Sequence, residues 1–143
     1  MADCFDLERF VTAQYPIWTQ VREELLAGCK RSHWMWFIFP QIVGLGYSAT
    51  SRYYAITSLD EARAYLAHSV LGKRLIESTS IVNAIEDRTP LQIFGGIDEL
   101  KFRSSMTLFT LADPEEPAFR DALKKYFHGA SDPSTIDHIG RTG

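Results

Sequence analysis

The chain has little sulfur chemistry to offer: two cysteines, Cys4 and Cys29, in 143 residues. They can pair only once, and a chain of this length hides roughly 70% of its unfolded surface on folding, so it needs no staple. Basic charge is short as well. Fifteen Lys and Arg stand against eighteen Asp and Glu, and the doublets Lys30-Arg31, Lys73-Arg74 and Lys124-Lys125 are scattered. Nucleic-acid binding draws its affinity from neutralised phosphates, and the basic footprint for that is missing, so no nucleic-acid partner is expected. No apolar run approaches the ~20 residues of a membrane span. Nor does the start show the basic, apolar and small-residue succession of a secretory signal. The expectation is a soluble cytoplasmic protein with reduced thiols and no membrane partner.

Metal chemistry lacks its spacing. The His at 33, 68, 128 and 138 and the two Cys form no Cys-x-x-Cys or His-x-x-x-His pair, so no metal site is expected. Gly44-Leu45-Gly46 lacks the third glycine and the strand-to-helix setting of a dinucleotide fingerprint, and no Gly-x-Ser-x-Gly elbow occurs. No cofactor is implied. Cys29 beside Lys30 and Arg31 has the setting of an acidified thiol, but no His partner accompanies it.

What the chain does have is a concentration of aromatics. Between Arg31 and Ser48, two Trp and two Phe fall within Trp34 to Phe39, with His33 before them and Pro40, Gln41, Gly44 and Gly46 after. Such side chains bury more area than any others, so a domain of this size must pack around them. Hydrophobic residues at 45% and charged residues at 23% are ordinary globular values. The six-residue apolar run carries no period, so a buried helical turn and a buried strand are both allowed; either is buried on every side.

Elsewhere helix signals recur every ten to fifteen residues. Asp3 or Asp6 caps a first helix with Leu7, Phe10, Val11 and Gln14 on one face; a second runs from Pro16 to Ala27 and stops at Gly28. Ser48 caps a short helix to Ala55, and Ser58 with Glu61 reads as a capping box for Leu59 to Ala67. Ser69 opens a helix with a broad apolar face. Thr89-Pro90 starts a short one, Asp98 caps a long one to Ala112, and Pro117 to Phe127 forms another. Asp132-Pro133 starts a short terminal turn, and Gly140 to Gly143 fray. No alternating strand appears. The predicted fold is all-α, a single compact multi-helix domain over 1–143.

Several polar residues are oddly placed. At ~100° per residue, Glu99, Arg103, Thr107 and Thr110 share one side of the Asp98 helix, a plausible solvent face. Asp98, Lys101, Ser104 and Ser105 then face the protein. A buried Lys needs a partner or an opening, so Lys101 either pairs with Asp98 three residues earlier or meets a ligand. His33, Gln41 and Gln14 also point inward. One expectation is a polar pocket in which Lys101, Ser104, Ser105, Gln41 and Gln14 hold a small anionic, nucleotide-like metabolite. Trp34 or Trp36 would stack on it, with His33 as acid or base and Lys101 as electrostatic stabiliser. The alternative is a protein–protein interaction module whose inward polar groups are structural and whose Tyr47, Tyr53, Tyr54 and Tyr65 form a surface. The oligomeric state is not encoded in any motif.

The run His33-Trp-Met-Trp-Phe-Ile-Phe-Pro-Gln41 with Gly44-Leu-Gly46, together with Asp6 to Gln14, Tyr54-Ala-Ile56, Ile93-Phe-Gly95 and Ser104-Ser-Met-Thr-Leu-Phe109, closely resembles the bacterial domain-of-unknown-function family 1810. The likeness covers nearly the whole chain and weakens toward Asp137 to Gly143. It implies a single all-helical domain. It carries over no catalytic residue.

Overall fold

The computed structural model describes residues 4–142. Among the described residues ten helices follow one another: α1 (Glu8–Gln14), α2 (Trp18–Leu26), α3 (Met35–Ile38), α4 (Ala49–Tyr53), α5 (Leu59–Ala67), α6 (Leu71–Ala84), α7 (Pro90–Phe94), α8 (Gly96–Ala112), α9 (Pro117–Phe127) and α10 (Pro133–Thr142). The fold is all-α. Among the described residues the nearest thing to a sheet is one isolated parallel bridge, Ile42 to Ile56.

Side-chain caps account for four of the helix starts. Ser48 and Ser58 accept from the backbone N–H of Ser51 and Glu61, each at 3.1 Å. Thr89 and Gln92 form a reciprocal capping box behind Pro90, which satisfies two amide donors that the first turn leaves open. Glu116 caps α9 through Ala118 N–H at 3.2 Å. The Ser58 box is only half made. Glu61 turns its carboxylate to Thr57 N–H and Oγ1 instead, at 2.9 and 2.7 Å, and to Arg9 at 2.8 Å. Arg9 in turn donates to the carbonyls of Tyr53 and Ala55, so a buried ion pair ties α1 to the α4–α5 connection.

Other expected starts move. Asp6 sits at φ 51° and caps with no side chain; Leu7 occupies the cap position, and Asp3 lies outside the described residues. Val70, not Ser69, precedes α6, and the N–H groups of Val70 and Leu71 go to His68 Nδ1 at 3.1 and 3.3 Å. Helix α8 begins at Gly96 behind Gly95, which places Asp98 inside the first turn rather than at the cap. The expected terminal turn is a ten-residue helix that carries Gly140 within it; Gly143 lies outside the described residues.

Helix α8 is the axis of packing, in contact with α3, α5, α7, α9 and α10. Its expected solvent face is therefore wrong. Thr107 is buried, and Arg103 donates to the carbonyls of Ala130 and Ser131, because the α9–α10 connection crosses that side. The large apolar residues of α8 left in water are Ile97, Leu100 and Leu111, the first two 74% and 60% exposed. Phe102 of α8 stacks on Phe94 at the end of α7 (4.7 Å, 26°) and meets Phe39 just after α3 edge-on (5.1 Å, 89°). The aromatic run is thus a helical turn followed by an extended exit. Trp34, Met35, Ile38 and Phe39 are buried, whereas Trp36 and Phe37 are half-buried, so the run is not enclosed on every side. The expected tyrosine surface does not form either: Tyr65 is in the core, Tyr54 packs against Phe10 and Phe37, and only Tyr47 and Tyr53 stand out.

A buried carboxylate fixes the approach to α3. Glu24 of α2 accepts from Arg31 N–H (2.7 Å), Ser32 N–H (3.0 Å), Ser32 Oγ (2.6 Å), Trp34 Nε1 (2.9 Å) and Gln20 Nε2 (3.0 Å). Burial by itself raises the acid's pKa, but the donors from Ser32, Arg31, Gln20 and Trp34 together outweigh it and hold the group at about 2. Because that value lies below the ordinary 4.5, the associated stability is complete above pH 4.5 and drains away as pH falls toward 2.

Two outcomes follow for stability. Glu24→Gln should lose about 3 kcal/mol at pH 7, since the amide leaves buried donors facing its own NH₂. In urea titrations the gap between wild type and variant should narrow by about 2 kcal/mol or more between pH 6 and pH 2.5; a constant gap would show that the carboxylate's charge contributes nothing. At Gly72 an added Cβ would lie 2.0 Å from the Leu66 carbonyl oxygen, where α5 and α6 approach. Gly72→Ala should therefore destabilise by about 1–3 kcal/mol despite alanine's helix preference, and an unchanged melting temperature would contradict that contact.

Candidate functional site

The Phe39–Phe94–Phe102 contacts bring three pieces of chain around an open cleft of about 500 Å³. The turn carrying His33 to Trp36 forms one wall, the α7–α8 junction the floor, and the first turns of α8 the other wall. Met35, Trp36, Phe94 and Ile97 supply its apolar surface; Lys30, His33, Asp98 and Lys101 supply its polar surface.

The charges converge on one carboxylate. Lys30 Nζ lies 2.9 Å from Asp98 Oδ2 and Lys101 Nζ lies 3.7 Å from Oδ1. The first is a close ion pair; the second is a looser one. Lys30 is held in place from its backbone as well, by donation of its N–H to the Ile93 carbonyl at 2.8 Å. Its ammonium group also reaches the Ser32 carbonyl and lies 5.1 Å from the Trp34 ring centre. Lys101 Nζ sits 4.9 Å from the centre of the Trp36 ring, within the range of a cation–π contact. Both lysine side chains are largely buried, at 8% and 19% exposure.

Of the residues singled out in the sequence, His33, Trp36 and Lys101 line this cleft together. His33 is exposed at its edge. The intrahelical Asp98–Lys101 pair is also present, so the pairing and the opening coexist. Gln41 lies beyond Trp36, in a recess of about 20 Å³ shared with Gly44, Gly46 and Arg52. That space is about one water molecule. Trp36 is thus the partition between cleft and recess.

The remaining candidates point elsewhere. Ser104 Oγ lies 2.8 Å from Asp132 Oδ2 and 3.0 Å from the Leu100 carbonyl, so it fastens α10's start to α8. Ser105 is fully buried, and its hydroxyl has no hydrogen-bond partner among the described residues; it does not line the cleft. Gln14 donates to the Phe37 carbonyl (2.7 Å) and to Tyr65 Oη (3.2 Å) and accepts from Arg74 (3.2 Å). A satisfied amide in the core is a structural tie. Trp34 is enclosed, with its indole N–H on Glu24.

Lys30 is the residue that sequence reasoning missed. It belongs to a loop doublet with no period to place it, and its partner Asp98 is remote in the chain. Glu24 did carry a signal, standing between Val21 and Leu25 on the buried face of α2.

A family model described as a protein of unknown function, DUF1810, matches residues 4–139. The crystal structure of a conserved hypothetical protein from Mycobacterium tuberculosis is similar at a TM-score of 0.95 and 50% identity, over 96% of this chain and 99% of that one. No curated protein matches. With the family pattern spanning the helices that build the cleft, the chain belongs to the DUF1810 family of proteins of unknown function.

Proposed function

We propose that the cleft between the His33–Trp36 turn and the start of α8 binds a small anionic metabolite. The observation that supports it is the charge count: two largely buried ammonium groups share a single carboxylate, Asp98. Buried charge demands a counter-charge, and one carboxylate leaves one positive charge over in a concave, partly dry site. An anion entering the cleft supplies what is missing. Gly95 and Gly96 add to the reading, since a Cβ on Gly95 would touch nothing and one on Gly96 only Leu91, so the cleft has room at the start of α8 beside the lysines. In such a cleft His33 stands at the edge as the acid–base group and Lys101 supplies positive charge. Those are the two roles an acid–base step on a bound anion requires.

A thermal-shift titration with ribose 5-phosphate tests the proposal. A ligand that binds only the folded state should raise the melting temperature by about 5–10 °C at a hundredfold excess over its Kd. The double variant Lys30→Ala/Lys101→Ala, checked by circular dichroism for intact helices, should not respond. A wild-type protein unmoved by ribose 5-phosphate and by simple phosphate at millimolar concentration would refute anion binding here.

A further inference from the structure

We infer that the anion suited to this cleft is a ring-bearing, hydroxylated phosphate monoester, in chemical class a nucleoside monophosphate, with its ring laid against Trp36. This rests on the anion-binding reading above and adds the identity of the ligand's other end. Three observations carry it.

The first is size and two-sidedness. A volume of about 500 Å³ lies within the ~300–1,000 Å³ of pockets that enclose whole organic ligands and far exceeds the need of a bare oxyanion. Most of the lining surface is apolar, and Ile97 stands 74% exposed at the mouth, an aliphatic side chain left in water until something covers it. The second is Trp36. Its neighbours Trp34 and Phe39 are sealed in the core, yet Trp36 is half-buried with Lys101 Nζ over its ring at 4.9 Å. The indole is thus presented to the charged side of the cleft, and an anion that draws Lys101 toward itself frees a π surface at a fixed distance from the charge. A planar ring stacks there; a bare phosphate or a carboxylic acid leaves it bare.

The third observation is Asp98. Its Oδ2 is engaged by Lys30 at 2.9 Å, but Oδ1 meets Lys101 only at 3.7 Å and has capacity for a hydrogen-bond donor. A fixed carboxylate at the anion site repels a second negative group and attracts hydroxyl or amino donors. The ligand therefore carries one compact anionic group, donors beside it and a ring beyond. Pyrophosphate and other polyanions are disfavoured by the same carboxylate.

Isothermal titration of the full chain at fixed ionic strength with adenosine 5′-monophosphate, ribose 5-phosphate and pyrophosphate reads these features separately. The nucleotide should bind about tenfold tighter than ribose 5-phosphate, and pyrophosphate weaker than either. Trp36→Leu should bring the ratio of the two phosphate esters to about one, and Trp36→Phe, which restores a ring, should recover part of it. Asp98→Asn should strengthen pyrophosphate binding relative to the monoesters. Equal binding of nucleotide and ribose 5-phosphate by the wild type, or a ratio untouched by Trp36→Leu, would overturn the ring assignment while leaving anion binding standing. Tight pyrophosphate binding by the wild type would overturn the role of Asp98. If none of the three binds, the anion reading falls, and this inference with it.

Discussion

Three phenylalanines decide where everything else can be. Phe39 leaves the aromatic turn, Phe94 closes α7 and Phe102 lies nearly two turns into α8, and their rings meet pairwise at 4.7 to 5.9 Å in stacked and edge-on arrangements. Aromatic faces and edges have preferred geometries, so such a trio restricts orientation as well as distance. Because each ring belongs to a different piece of chain, fixing them fixes the walls of the cleft. The lysines, His33 and Trp36 are then carried to one place by packing in which none of them takes part.

Around this core the buried polar groups behave as fasteners. Glu24 gathers the donors of residues 31–34 and so sets the path into α3. Arg9 and Glu61 join α1 to the loop ahead of α5, and Ser104 with Asp132 fastens α10. In each case donor meets acceptor, as low-dielectric surroundings require. The cleft is different in kind. There two cations meet one carboxylate, an indole is half-buried beside them and an aliphatic side chain is left in water. That charge surplus in one concave place is the feature that supports the anion-binding proposal.

Where sequence reading succeeded, the determining chemistry was local. Ser48, Ser58, Thr89-Pro90 and Pro117 marked starts that the structure keeps, because a cap or a first-position proline acts within one turn. It failed at Asp98 and Ser69, where residues able to cap were displaced by a glycine junction and by the His68 ring. It failed again on α8, where a helical wheel assigned Thr107 to solvent without knowing that the α9–α10 connection covers that side. The candidate site was half visible for the same reason. Lys101, His33 and Trp36 stood out as polar or aromatic residues in unexpected surroundings, but inward-pointing Ser104, Ser105 and Gln14 stood out equally and serve the core instead.

The sequence by itself determined the helical class, most helix boundaries, the aromatic centre and the family, since each depends on residues that are neighbours along the chain or on a run too distinctive to recur by accident. Only the tertiary structure decided that Lys30 joins Lys101 on Asp98 and that Trp36, unlike Trp34, is half-buried with its ring against Lys101. Those contacts join segments far apart in the chain. Their geometry is set by how the aromatic core packs, and no local pattern encodes it.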